Sequence, residues 1–289
     1  MASDNFSDAA LVLVGHGSTR NAQSIAPVCQ HADHLRQRNI FAEVVECFWM
    51  VEPSVAGALR RVGARRVFIV PLFISEGYFT QEAIPGELGL RAQGQSDFAR
   101  VQQRGPQTLY YCDPIGTHES MTGALLARAR QVVGQHPFPC AVKPAETALF
   151  IAGHGTGRNE NSRQAIESQV ELIGKGGKYA EVYPAFIEEE PRIANCYQTA
   201  HAKNIVVVPF FISNGLHTVE DIPILLGESA RQVRQRLKAG QPTWRNPTER
   251  KGKRLWYSNA IGSEPLMAEI ILERAREMAR STRAMSWRP

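Results

Sequence analysis

Long apolar runs are missing from this chain. None of its 289 residues falls in an uninterrupted apolar stretch of about 18, the length a helix needs to cross a bilayer. A membrane span is therefore not expected. Cysteine is scarce: Cys29, Cys47, Cys112, Cys140 and Cys196 are odd in number, scattered, and form no CxxC pair. That argues against a disulfide framework or a zinc cluster and for reduced thiols in a cytoplasmic protein. Basic residues are absent ahead of the first apolar run at residues 11–14, so no secretory leader is expected. Charge is also modest, at 21% against 43% hydrophobic residues, too little for a disordered chain and enough apolar matter for a core.

What charge there is leans positive, with 33 basic and 28 acidic residues and a net +5. The excess concentrates between residues 231 and 254. Nine basic residues stand there (Arg231, Arg234, Arg236, Lys238, Arg245, Arg250, Lys251, Lys253 and Arg254) against one acid, Glu249. Two readings are open: a solvated helix end with its loop, or an electrostatic collar for a polyanion. The stretch has one aromatic, Trp244, and no nucleic-acid motif, so nucleic acid is not the expected partner.

Self-comparison is more informative. LVLVGHGSTRN begins at Leu11 and LFIAGHGTGRN at Leu149; VFIVPLFISEGYFTQEAIP begins at Val67 and IVVVPFFISNGLHTVEDIP at Ile205. Both pairs are offset by 138 residues, as are Glu52-Pro53 and Glu190-Pro191. LYYCDPIGTHE at Leu109 matches LWYSNAIGSEP at Leu255 with an offset of 146, so the second copy carries an insertion of 8 residues within the basic stretch. One domain is written twice, which predicts domains at 1–136 and 145–289 joined by a proline-bearing linker (Pro137, Pro139, Pro144).

Within each copy short apolar runs alternate with helical stretches. Strands are predicted at 11–14, 42–48, 66–74 and 109–112, and again at 149–152, 180–187, 205–212 and 255–258. This is an α/β pattern: two similar domains, each a parallel four-stranded sheet flanked by helices. Ligands of such sheets sit beyond the carboxyl ends of the strands.

Strand one ends in His16 in the first copy and His154 in the second, each between two glycines. The second copy adds His217 after its third strand, where the first has Phe79. Glu188, Glu189 and Glu190 follow its second strand; of these the first copy keeps Glu52, beside Trp49 and Met50. Two imidazoles with carboxylates can hold a divalent first-row metal. The plainer reading of the acidic triplet is a helix N-terminus whose dipole favours it. A strand-end histidine also serves phosphotransfer in mutase-like enzymes, for which Arg20 and Arg158 would bind the anion. The remaining strand-end residues, His16, Ser75 and Phe79 in the first copy and Phe186, Ser213, Asn214 and Gly215 in the second, are the expected ligand-binding set.

Gly-His-Gly-Ser/Thr after strand one, Pro-x-Phe-(x)3-Gly-x-His-Thr-x-x-Asp-Ile-Pro after strand three and Ile-Gly-Thr/Ser after strand four resemble the class II tetrapyrrole chelatases. They are most similar to the CbiX-like sirohydrochlorin cobaltochelatases and ferrochelatases in their two-domain form. The second copy fits with Pro209, Phe211, Gly215, His217, Thr218, Asp221, Ile222 and Pro223. The resemblance implies ATP-independent insertion of a divalent metal substrate (Co2+, alternatively Fe2+ or Ni2+) into a tetrapyrrole held between the domains. It implies His154 and His217 as metal ligands, with His154, His217, Glu188 and Glu190 as the catalytic set, the carboxylates taking protons or completing the metal site. In the first copy Phe79 and Ala83 replace His217 and Asp221, so its metal site is degenerate. A carrier of tetrapyrrole or metal on the same scaffold is the alternative. No membrane partner is expected, and the molecule would be a monomer or homodimer.

Overall fold

A computed structural model describes residues 5–19, 21–95, 97–155 and 160–286. The first half of the chain runs β1 (Ala9–Gly15), α1 (Ala26–Gln37), β2 (Glu43–Phe48), α2 (Val55–Ala58), β3 (Arg66–Pro71), α3 (Ile84–Glu87), β4 (Val101–Arg104), β5 (Gln107–Tyr111) and α4 (Met121–Gln135). The second half repeats it: β6 (Thr147–Gly153), α5 (Asn161–Lys175), β7 (Glu181–Phe186), α6 (Cys196–Thr199), β8 (Asn204–Pro209), α7 (Ile222–Leu225), α8 (Ala230–Lys238), β9 (Thr248–Arg250), β10 (Lys253–Tyr257) and α9 (Met267–Ser286).

The sheets have the orders β2-β1-β3-β5-β4 and β7-β6-β8-β10-β9. Four strands of each are parallel, as the apolar runs predict. Each sheet also gains a fifth, short antiparallel edge strand, β4 on β5 and β9 on β10. Those strands read VQQR and TER, half-buried or exposed, and carry none of the apolar signal that marks a buried strand. β1 and β6 are buried along their whole length, as central parallel strands covered on both faces must be.

The compact units do not follow the repeat boundary. One comprises Met1–His118 with Pro265–Pro289, the other Glu119–Glu264. α4, which closes the first repeat in sequence, packs on β8, β10 and α5 of the second unit. α9, which closes the second repeat, packs on β3, β5 and α1 of the first. Each repeat thus lends its last helix to the other unit. Among the described residues no helix is long and apolar enough to cross a membrane, and the five cysteines are free thiols.

The repeats share their turn chemistry. Glu43 accepts the backbone N–H groups of Gly63 and Ala64 at 3.1 and 2.8 Å. In the same place Glu181 accepts those of His201 and Ala202 at 2.9 and 2.7 Å, and the Tyr183 hydroxyl at 2.9 Å. Gly116 and Gly262, of the Ile-Gly-Thr/Ser motifs, lie so close to Ile74 and Ile212 that any Cβ would overlap their carbonyl oxygens.

Burial alone would raise the Glu181 carboxyl, but the donors on it outweigh burial and hold it below its ordinary 4.5. A depressed carboxylate stabilises the fold above its unfolded-state pKa, and this contribution disappears as pH falls through the folded value. Glu181→Gln is expected to cost about 1–2 kcal/mol at pH 7, with the gap to wild type narrowing below about pH 4. Urea midpoints measured at both pH values check this; a gap that is constant with pH would contradict it.

Candidate metal centre

Sheet register brings the strand-end residues together. Gly153, the last residue of β6, pairs with Phe186 at the end of β7, and Ala152 pairs with Pro209 at the end of β8. The next residues on all three strands therefore emerge at one sheet edge. His154 steps out of β6 between Gly153 and Gly155, and Gly155 turns the chain with φ +65°. A side chain at Gly155 would meet Glu189 and Phe186. The backbone N–H of Glu188 donates to the His154 carbonyl at 3.1 Å, pinning the β7 exit beside the histidine.

His217 arrives from the other side, opening the single π-turn His217–Asp221 that follows β8. The two imidazoles meet edge to face, with centroids 4.7 Å apart and planes at 84°. Each ring has its Nδ1 engaged. That of His154 lies 2.9 Å from the Gly155 carbonyl, and that of His217 lies 2.7 Å from the Asp221 carboxylate. A carbonyl oxygen only accepts, so His154 Nδ1 carries the proton and its Nε2 keeps the lone pair. The Asp221 carboxylate imposes the same tautomer on His217. The result is two Nε2 donors at a sheet edge, on side chains 34% and 47% exposed. Orientation of a ligating imidazole through its other nitrogen is the usual support of a metal site.

Glu188 reaches within 3.7 Å of His154 Nε2 and is exposed. That is too long for a hydrogen bond but close enough to take up a proton or to add an oxygen donor. Among the described residues no three His, Cys, Asp or Glu side chains stand together so as to hold a metal ion. The centre is an open pair of imidazoles with one carboxylate beside it.

Two expected members stand elsewhere. The Glu190 carboxylate accepts the backbone N–H of Arg192 at 3.0 Å and lies 3.7 Å from its guanidinium. In the first repeat Glu52 closes the same turn on the N–H of Ser54 at 2.7 Å. Glu190 is therefore a turn residue, which is why both copies keep it. Phe186 is fully buried beneath the Arg163 guanidinium and offers no surface to a ligand. Asn214 uses its carbonyl to accept the Ala260 N–H at 3.0 Å, tying the β8 loop to the end of β10. Ser213 and Gly215 are half-buried on that loop, as Ser75 is on the corresponding loop of the first repeat. Arg20 and Arg158, the anion-binding candidates of the phosphotransfer reading, lie outside the described residues.

The collar also dissolves in part. Arg234 pairs with Glu220, Arg236 with Glu228, Arg250 with Gly227, Lys253 with Ala200 and Arg254 with Phe138. Five of the nine basic residues in the stretch thus hold the insertion to its own unit.

The first repeat has the same frame with different chemistry. His16 again binds its neighbour's carbonyl, Gly17 O, through Nδ1 at 2.7 Å. Phe79 stands against it with centroids 4.7 Å apart and planes at 85°, reproducing the His154–His217 contact. Phe79 also packs on Phe73, Tyr78 and Trp49. Met50 takes the position of Glu188, with its N–H on the His16 carbonyl at 2.9 Å. Ala83 takes that of Asp221, so the second imidazole and the carboxylate bonded to it are lost together.

A family model described as CbiX matches the chain twice, over residues 10–132 and 148–278. The chain belongs to the CbiX family. Its CbiX repeats coincide with the two copies read from the sequence. A curated relative, the probable sirohydrochlorin cobaltochelatase of Halobacterium salinarum, is 39% identical over 93% of this chain and 91% of its own. The sirohydrochlorin cobaltochelatase of Methanopyrus kandleri is 28% identical over 45% of this chain and 95% of its own. Among solved structures, a multi-domain Deinococcus radiodurans protein with structural similarity to chelatases superposes with TM-score 0.74 at 28% identity. It covers 92% of this chain, which spans 54% of that protein. SirB from Bacillus subtilis with Fe3+ gives TM-score 0.66 at 18% identity, covering 96% of this CbiX chain and 97% of its own, a likeness of fold.

Asp221 is the residue the motif names without giving it a role. Its signal was the i,i+4 spacing from His217, which puts both side chains on one face of a helical turn. Asp221→Ala should weaken Co2+ binding about 10- to 100-fold, the usual cost of losing a support of a metal-bound imidazole. Calorimetric titration of the variant with Co2+ checks this; unchanged affinity would remove Asp221 from the centre.

Proposed function

We propose that this chain inserts a divalent metal, Co2+ in the first place and Fe2+ in the second, into sirohydrochlorin or a related tetrapyrrole. The observation that carries this reading is the imidazole pair, whose two Nε2 lone pairs are free and whose Nδ1 atoms are both fixed. The names of the Halobacterium salinarum and Methanopyrus kandleri relatives support the substrate.

Insertion exchanges two pyrrole N–H protons for one metal ion. A site for it must receive the ion, present it, and let it go. A closed cage of four protein ligands retains its metal, whereas an open site leaves positions for other donors. His154 and His217 provide two donors and leave the rest of the coordination sphere to water and then to pyrrole nitrogens. Each of the two pyrrole N–H bonds breaks as metal–nitrogen bonds form, releasing one proton, and Glu188 beside His154 would take up a released proton and pass it to solvent. The first repeat does different work. Its rings around His16, packed mostly edge to face and with Tyr78 and Met50 exposed, give an apolar surface for contact with a macrocycle instead of metal donors.

Anaerobic absorbance spectroscopy tests the proposal. Protein with sirohydrochlorin and Co2+ should convert the free-base spectrum to that of the metal complex faster than a protein-free control. No acceleration would overturn the enzymatic reading, and a spectral shift on binding without insertion would identify a carrier.

A further inference from the structure

The second unit holds a cavity of about 680 Å³ that the metal centre does not use. α8 and the loop that follows it, which carry the insertion, line it together with α4, the turn after β8 and the end of β10. Its volume is that of a site for a small organic ligand.

The charges around it can be counted. Three arginines line it, and no carboxylate does. Arg128 is held from behind by Gln131 and Ser263 at 2.6 Å, with Glu264 at 3.5 Å balancing its charge. Arg236 is held by Glu228 at 2.9 Å and by the Thr243 carbonyl. Arg245 is exposed, and its guanidinium has no partner among the described residues. His136, also on the wall, is exposed. At neutral pH the cavity therefore carries one uncompensated fixed cation.

A second observation points the same way. Trp244 lines the cavity and is 6% exposed, and its indole N–H is buried with no acceptor. A buried donor without a partner is costly and rare. Beside it Leu237, Val132 and Tyr257 provide apolar wall. The lining also includes Asn214, Thr218 and Val219, which bracket His217 in sequence.

We propose that this cavity binds a single carboxylate carried on a flat apolar body, with Arg245 as the counter-charge and the Trp244 N–H as a hydrogen-bond donor. The carboxylate comes either from a side arm of a tetrapyrrole or from a separate small molecule. In both cases the occupant rests against the turn that bears His217. The site stands on its own residues and does not require the metal-insertion reading.

The experiment is calorimetric titration of the full chain with 1-naphthoate as probe. Arg245→Glu should weaken binding at least about 10-fold, and the neutral analogue 1-naphthalenemethanol should bind at least as much more weakly than the acid. His217→Phe should bind 1-naphthoate as wild type does, which separates this site from the metal centre. Displacement of the probe by uroporphyrin assigns the site to a tetrapyrrole arm; failure to displace it assigns a separate ligand, and both outcomes uphold a carboxylate site. The proposal is overturned if 1-naphthoate does not bind at millimolar concentration, if Arg245→Glu binds it equally well, or if the alcohol binds as tightly as the acid. Arg245 sits on an exposed loop, and Trp244→Phe gives a second variant, expected to weaken binding about 10-fold with the ring volume kept.

Discussion

Replacing His217 with phenylalanine should lower kcat/KM for metal insertion at least about 100-fold, or roughly 2.7 kcal/mol of transition-state stabilisation. The melting temperature should stay within about 2 °C of wild type, since a surface change away from buried networks usually moves stability little. The first repeat is the warrant for both halves of this prediction. Phe79 stands on His16 at the same centroid distance, 4.7 Å, as His217 on His154, so the frame already accommodates a phenyl ring there. What the substitution removes is one Nε2 donor, together with the purpose of Asp221. Alanine would leave a gap beside His154 and confuse lost chemistry with lost packing. Steady-state rates and thermal melts on the same preparation check the prediction; a His217→Phe variant with near-native activity would remove the imidazole pair from the mechanism.

The reciprocal change should create a site. Phe79→His with Ala83→Asp gives the first repeat the same pair of residues at the same i,i+4 spacing. His16 is already oriented by Gly17 as His154 is by Gly155, with Nδ1 to carbonyl distances of 2.7 and 2.9 Å. The expected result is a rise in bound Co2+ from about one to about two per chain, since a paired, oriented imidazole site is what distinguishes the repeats. Phe79→His alone should bind the second ion about 10- to 100-fold more weakly, for want of the carboxylate. Insertion activity should not double, because Met50 stands where Glu188 supplies a carboxylate. Equilibrium dialysis with metal analysis measures the stoichiometry. One ion per chain in the double variant would show that more than these two positions separates the repeats.

The parts of this architecture that were legible in sequence are those set by local pattern. An apolar run followed by Gly-His-Gly can be read because a parallel strand buried on both faces has few other compositions, and because a positive φ at Gly17 and Gly155 calls for glycine. The same pattern occurring twice puts His154, His217 and Phe79 at equivalent sheet edges. Side-chain direction was harder. Glu188, Glu189 and Glu190 are three consecutive carboxylates, and composition does not tell which one faces the histidines. The turn does: Glu190 closes on the Arg192 N–H, Glu189 lies 3.3 Å from Arg163, and Glu188 is left beside His154. Phe186 was misread for a related reason. It ends its strand as a site residue would, but strand alternation turns it into the core.

The exchange of α4 and α9 between units was not legible at all. Either helix has an apolar face that would cover either sheet, and amphipathic pattern carries no address. The basic insertion shows the limit of charge counting. Nine cations in 24 residues read as a surface for a polyanion, yet most of them are occupied by carbonyls and carboxylates of their own unit. Of the other four, Arg245 alone lines the cavity, and a single guanidinium there selects a far smaller partner.

The central claim is that His154 and His217 together hold the incoming metal. X-ray absorption at the cobalt edge, on wild-type protein loaded with one equivalent of Co2+, tests it most directly. Scattering from two imidazoles is expected in the wild type and from at most one in His217→Phe. Cobalt bound without imidazole in the wild type, or an unchanged two-imidazole signal in His217→Phe, would contradict it.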